Sequence, residues 1–494
     1  MNIAEAKEYI KNTVSIYLKK DEYGDYRIPV MRQRPVFLLG APGIGKTAIM
    51  EQIASELGIA LVSYSMTHHT RQSALGLPFI KQKEYGGAEY DVSEYTMSEI
   101  IASVYETMEE SGCSEGILFL DEINCVSETL APSILQFLQY KVFGRHTVPE
   151  GWVIVTAGNP VEYNKSVREF DVVTLDRLKV LEVSADYNAW RNYAKEKGLH
   201  AAILNFLENR RDYFYVMETT VEGKSYVTAR GWEDLSEIIY LYEEDNLKVT
   251  ESLVSQYLRN DKVVREFTAY YDLFNKYKTD YRVEALLDGR INEATVKKAQ
   301  NASLDERLSL AGLLLDKVSD EIKTIMNEAG DLKEIMPAMK RILESDDIEK
   351  GLREQANARN TIILNRTKAG SLTPIERNKH KRIEALFLAM LDEALKGSED
   401  PAIAVKSIYN NRAQALRESV IKEQSRLHFL FEFAEKAFGE SSNEMLVLVT
   451  ELTLGTNSAL FLSSFGSEDY DRFNSLLMVS DRKEDLRSEI MGLL

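Results

Sequence analysis

Gly40-Ala41-Pro42-Gly43-Ile44-Gly45-Lys46-Thr47 completes the pattern G-x-x-x-x-G-K-[ST] with no position missing. The apolar run Val36 to Leu39 before it reads as a buried strand. Ala48-Ile49-Met50 and Ile53-Ala54 after it recur at helical spacing. A glycine-rich turn between a strand and a helix lets backbone N–H groups converge on phosphate oxygens, and the helix N-terminus adds partial positive charge. Lys46 is then the group that reaches the β- and γ-phosphates, and Thr47 the hydroxyl that meets Mg²⁺. The run Gly40 to Ala48 therefore implies a nucleoside triphosphate site.

Further along, the same chemistry finds its other parts. Ile117-Leu118-Phe119-Leu120-Asp121-Glu122 is an apolar strand that ends in two acids. In phosphate-loop enzymes the strand beside the loop strand presents an aspartate to Mg²⁺. Asp121 thus joins Thr47 as a candidate metal ligand, and Glu122 is placed to orient and activate the attacking water. Val153-Ile154-Val155-Thr156-Ala157-Gly158-Asn159-Pro160 is another buried strand with a small polar end, where Asn159 can hold the water or the γ-phosphate. Leu175-Asp176-Arg177-Leu178 and Thr228-Ala229-Arg230-Gly231-Trp232 each supply one arginine. A guanidinium near the γ-phosphate stabilises transition-state charge and contributes about 10³–10⁵ in rate.

At 494 residues the chain exceeds one ordinary core, so two to four domains are expected. A formal net charge of −18 argues against a general nucleic-acid binder and against an anionic membrane surface. Cys113 and Cys125 are the only cysteines, which suits a reducing compartment and no disulfide framework. No stretch reaches the roughly 18 apolar residues that a membrane helix needs. Near the N-terminus Ile3, Ala6, Ile10, Val14, Tyr17 and Leu18 recur at helical spacing, as in an amphipathic helix packed on the next domain. A cytoplasmic protein is expected.

Seven of the ten prolines lie at or before Pro160. The first third alternates strand-like and helical patterns, with strands expected at Val36–Leu39, Ala60–Ser65, Ile117–Leu120, Trp152–Thr156 and Val180–Val183. That is an α/β layer fold built on a parallel sheet with flanking helices. From about residue 187 the pattern turns helical. Leu308, Ala311, Leu314, Leu315, Val318, Ile322 and Ile325 form one apolar stripe. Thr373-Pro374-Ile375-Glu376 carries a capping box with proline at the first helical position, and Ser441 with Glu444 suggests the same device. Lys379 to Arg382 is a basic run that reads first as a solvated helix face. His68-His69 is a poor metal site, since adjacent histidines diverge and no further ligand sits at ligand spacing.

This ordered set resembles the AAA+ ATPases, and within them the MoxR-like group, over roughly residues 1–245. Gly40–Thr47 corresponds to Walker A, Ile117–Glu122 to Walker B and Asn159 to sensor 1. The Leu-Asp-Arg box places Arg177 as the finger into a neighbouring subunit's site, and sensor 2 places Arg230 on the γ-phosphate of its own subunit. The stretch Thr70–Pro78, a hairpin within Lys141–Trp152 and the N-terminal helix also resemble this group. Leu178 stands where the family often carries phenylalanine. The resemblance implies ATP and Mg²⁺ as ligands and a homo-oligomeric ring, with a hexamer as the family expectation. It implies an insertion at Thr67–Ser98 that faces the pore, with a turn at Gly86-Gly87 and with Tyr85 and Tyr90 able to touch a substrate. It also implies a protein client or adaptor, such as a von Willebrand factor A domain protein.

The expected domains are a lead-in at 1–34, an α/β core at 35–186, a small helical lid at 187–245 and an α-helical C-terminal region at 246–494 that chooses the partner. Two functions follow from the same residues: an ATP-hydrolysing remodeller of a partner protein, and a nucleotide-controlled binding switch with slow turnover. A DNA-directed ATPase is a third, against which the acidity counts.

Overall fold

In the computed structural model the described residues are 1–68, 76–143, 146–164, 166–220, 223–396 and 400–476. The chain opens with α1 (Ile3–Tyr17), which turns Ala6, Ile10, Val14 and Tyr17 inward. Asn2 and Glu5 form a reciprocal capping box at its start, and the helix packs on α2 (Lys46–Leu57). Between them runs β1 (Val36–Gly40). After α2 come β2 (Ala60–Ser65), the hairpin β3 (Pro78–Tyr85) and β4 (Ala88–Tyr95), and α3 (Glu99–Ser111). Then follow β5 (Gly116–Asp121), α4 (Ala131–Tyr140), the short pair β6 (Val142–Phe143) and β7 (His146–Thr147), and β8 (Trp152–Gly158). The short α5 (Val172–Leu175) leads into β9 (Lys179–Val183).

All five expected core strands join one parallel sheet in the order β2-β5-β8-β1-β9. The three middle strands are buried almost throughout, as strands covered on both faces should be, whereas the edge strand β9 alternates with exposed residues and the edge strand β2 is largely half-buried. One expectation needs correcting. Asp121 does not end the strand beside the loop strand, because β8 lies between β1 and β5. The neighbour of the loop strand is the one that ends at Gly158 and leads to Asn159.

The molecule divides into two compact units. The first comprises Met1–Trp190, Thr228–Arg230 and Ala356–Glu384. Residues 356–384, which the sequence groups with the C-terminal helices, therefore pack within the α/β unit. They belong to the helices Ile348–Lys368 and Pro374–Leu395, and the second starts as expected, with Thr373 and Glu376 hydrogen-bonded reciprocally. Ala369, at the turn between them, is 1% exposed and joins the same core cluster as Ala60, Val62 and Leu118.

The second unit comprises Arg191–Val227, Gly231–Gln355 and the residues from Ala385 onward. Its spine is the 40-residue helix Leu304–Leu343, which buries Ala311, Leu314, Val318, Ile322 and Ile325 of the expected stripe. It packs against the 38-residue helix Pro401–Phe438. Arg426 on the latter is buried and bonds Glu321, Glu284 and Asp288 at 2.7–3.0 Å, so its charge is compensated where it is desolvated. Within the expected lid, Val216–Thr220 and Gly223–Val227 pair as an antiparallel hairpin, so that segment is not wholly helical. The helix Asn443–Leu454 is capped by Ser442, whose side chain accepts from Met445, and not by Ser441. Glu444 is instead buried beside Arg307, at 2.8 Å.

Candidate nucleotide-binding site

In a parallel sheet the carboxyl ends of all strands lie at one edge, and loops leaving that edge converge. Here those loops carry Gly40 to Thr47 after β1, Glu122 after Asp121 of β5, Asn159 after β8, and Ser65 and Thr67 at and after the end of β2. Gly43 and Gly45 have φ of +74° and +95°, which only glycine adopts without strain. A Cβ at Gly43 would also stand 2.9 Å from Cβ of Thr228. Gly45 immediately precedes α2, so the first free N–H groups of that helix face the loop.

Lys46 is 8% exposed and is held by three acceptors. Its Nζ donates to Gly40 O at 2.7 Å, Ala41 O at 2.9 Å and Asn159 Oδ1 at 2.9 Å. Burial pulls its pKa down to about 8; the carboxylates of Asp121 and Glu122 push the other way, and Arg230 adds to the lowering. The Thr47 hydroxyl donates to Asp121 Oδ2 at 3.1 Å. A hydroxyl and a carboxylate side by side are the hard oxygen donors that Mg²⁺ prefers, so these two residues fit that ion.

Glu122 sits at φ +54°, a left-handed conformation that costs a residue with a Cβ about 1–2 kcal/mol. The turn is closed by its own N–H to Asp121 Oδ1 at 2.9 Å. Its Oε2 accepts from the hydroxyls of Ser65 and Thr67, each at 3.0 Å. Asn124, two residues on, is 4% exposed and donates through Nδ2 to Asn159 O at 2.8 Å. A Cβ at Gly158 would lie 2.4 Å from Asn124 Oδ1, so the two loops meet with no space between them. Sequence reasoning missed Ser65, Thr67 and Asn124. The only signal for them is polarity next to an apolar strand, and it gains meaning once β2 and β8 are seen to flank β5.

Arg230 donates its backbone N–H to Gly43 O at 3.3 Å, at the start of the helix Ala229–Glu244, and so stands at the loop. Arg177 is different. It follows α5, which Asp171 caps by accepting from Thr174 N at 2.8 Å. Arg177 is exposed, and its side chain makes no hydrogen bond or ion pair with another described residue. Val172 and Val173 beside it are 81% and 59% exposed.

In the β3–β4 hairpin, Lys83 lies opposite Tyr90 and Tyr85 opposite Ala88, so both tyrosines share one face. They are 53% and 55% exposed with ring centroids 6.3 Å apart, and Gly86-Gly87 makes the turn, as expected. Residues 69–75, which include most of the Thr70–Pro78 stretch and His69, lie outside the described residues. The expected hairpin within Lys141–Trp152 is present as β6 and β7.

Residues 36–173 match the family model of the ATPase family associated with various cellular activities (AAA). No curated protein matches the chain. This part of the chain is similar to the AAA ATPase domain, whose family members bind ATP and commonly form oligomeric rings.

Proposed function

We propose that the chain hydrolyses ATP and uses the cycle to remodel a partner protein, as a member of the MoxR-like group. The observation that carries the reading is the convergence of Lys46, Thr47, Asp121, Glu122 and Asn159 at one sheet edge, tied together by hydrogen bonds of 2.7–3.1 Å. In this reading the loop amides from Gly40 to Ala48 and the Lys46 ammonium hold the phosphates. Thr47 and Asp121 would hold Mg²⁺, which when bound would supply neutralisation of the phosphate charge. Asn159 orients a water, and Glu122 takes its proton as the water oxygen bonds to the γ-phosphorus. The bond from the γ-phosphorus to the bridging oxygen breaks and ADP departs. Arg230 stabilises the developing charge from its own subunit, and Arg177 does so in a neighbour's site within a ring, a hexamer by resemblance.

The client or adaptor is a protein, with a von Willebrand factor A domain protein as the class that the resemblance favours. Tyr85 and Tyr90 offer it an aromatic face on the β3–β4 hairpin, and the helices of residues 246–355 and 385–494 select it. The test is affinity capture from native cells. Glu122→Gln, which keeps ATP bound, is expected to enrich a partner that Lys46→Ala does not. Identical captures would sink the nucleotide-gated remodeller. One observation favours a slower, switch-like cycle: Ser65 and Thr67 both engage the Glu122 carboxylate. A turnover that stays negligible with the partner present would select that reading.

The state of Lys46 makes the affinity pH-dependent. Phosphates favour the ammonium form, so a free protein whose lysine titrates at about 8 must take up a proton to bind above that pH. Affinity for ATP is therefore expected to be flat below pH 8 and to weaken by nearly tenfold per pH unit above it, toward the ordinary lysine range of about 10.4. Calorimetry at pH 8.5 in buffers of different ionisation enthalpy should find net proton uptake on binding. Proton release, or an affinity independent of pH between 8 and 10, would contradict it.

A further inference from the structure

The turn that joins the helices Ile348–Lys368 and Pro374–Leu395 is built onto the far ends of two elements whose near ends form the nucleotide site. α2 begins at Lys46 and Thr47 and ends near Ser55. β2 begins at Ala60 and ends at Ser65, whose hydroxyl holds Glu122. The turn engages both. Ala369 O accepts the N–H of Leu61 at 2.8 Å, which extends the hydrogen bonding of the sheet beyond its edge strand. Gly370 has φ +64°, and a Cβ there would stand 2.7 Å from Leu61 O, so the contact requires glycine.

On α2 the contact is made at Ser55 by Arg366 and Glu376. Arg366 Nη2 donates to Ser55 O at 3.1 Å, to Ser55 Oγ at 3.0 Å and to Ser371 O at 2.9 Å, while Nη1 donates to Glu376 Oε1 at 3.0 Å. Glu376 Oε2 accepts in turn from Ser55 Oγ and from Thr373. Arg366 thus satisfies the end of α2, the turn and the capping box of the next helix at once. Ser371 is 3% exposed and the Arg366 side chain 26% exposed, so the joint is seated and not a surface ion pair. A planar fork with fixed donors suits such a joint better than a lysine does.

We propose that Arg366 is a positioning residue for ATP hydrolysis. The 356–384 hairpin sets the tilt of α2 and β2, and through Ser65 it sets the place of the Glu122 carboxylate. The C-terminal helices are then a control lever on the ATPase domain as well as a partner-binding region. This inference rests on the proposed ATPase reading.

The test compares wild type, Arg366→Ala and Arg366→Lys as full chains. Arg366→Ala is expected to weaken the Kd of a non-hydrolysable ATP analogue only a few-fold, as reciprocal coupling requires, and to lose about ten- to a hundredfold in kcat per folded site, since small misplacements of reacting groups have costs of that size. Arg366→Lys should recover part of the loss. A role confined to stability would lower the melting temperature and leave kcat per folded site unchanged. In parallel, hydrogen exchange of the Leu61 amide is read in wild type with and without the analogue, and is expected to slow on binding. Either a kcat within twofold of wild type in Arg366→Ala or an unchanged Leu61 exchange overturns the proposal. If Arg366→Ala does not fold, the Leu61 measurement on wild type decides alone. A wild type that binds the analogue and turns over ATP while failing both readouts removes this inference only. A wild type that binds no nucleotide removes the ATPase reading and this inference with it.

Discussion

Glu122→Gln should bind ATP with a Kd within a few-fold of wild type and hydrolyse it at least about a hundredfold more slowly, the lower end of what a positioned general base contributes. The substitution keeps the volume and the hydrogen-bonding reach of the side chain and removes its basicity. It leaves untouched the groups proposed to bind phosphate: Lys46 with its three acceptors, the glycines at φ +74° and +95°, and the Thr47–Asp121 pair. Ser65 and Thr67 still find an amide oxygen to donate to, so the turn at φ +54° keeps its support. Steady-state phosphate release together with equilibrium binding of a fluorescent ATP analogue separates the two effects. Turnover within tenfold of wild type would show that another base acts. A parallel collapse of binding would show that Glu122 is part of the phosphate cradle.

Three anchor points of this site are legible in the sequence because each stands at the end of an apolar run, and such runs are the strongest short signal for buried strands. Gly40 after Val36–Leu39, Asp121 after Ile117–Leu120 and Asn159 after Val153–Val155 are three instances of one pattern. What a linear pattern lacks is lateral order. Nothing in the residues says that β8 stands between β1 and β5, so the pairing of Asp121 with the loop strand comes out wrong, and the contribution of β2 through Ser65 goes unseen. The hairpin Val216–Thr220 and Gly223–Val227 is missed for a different reason. Its strands are short and largely polar, so neither period dominates. Residues 356–384 are held in the α/β unit by the turn Ala369-Gly370-Ser371 and by Arg366 and Glu376 on the helices beside it, and helical periodicity carries no information about what such a turn will touch. The slip from Ser441 to Ser442 is of the same kind: consecutive serines offer the same cap, and packing of Met445, Leu448 and Val449 chooses between them.

Arg177→Ala is expected to cost about 10³ or more in turnover, the lower end of what an arginine finger supplies, with little change in ATP affinity. The Arg177 side chain makes no bond to another described residue, and its charge acts on Asp171 at the start of α5. Lys46, Asn159, Thr47, Asp121 and the backbone of Arg230 are bonded into the loop of their own chain, but the Arg177 side chain is exposed beside two exposed valines. In the proposed ring, a cation placed there at the end of a capped helix is offered to a phosphate held by another copy. Supply in trans has a consequence that no cis arrangement shares. Mixing two inactive variants, Arg177→Ala and Glu122→Gln, under conditions that allow subunits to exchange creates interfaces in which an intact Glu122 faces an intact Arg177. With head-to-tail contacts and random equal mixing, about one interface in four has that composition, so about a quarter of wild-type turnover should return. No recovery from fully exchanged mixtures would mean that Arg177 acts within its own chain, or only structurally. An Arg177→Ala protein with turnover within tenfold of wild type would remove it from the reaction.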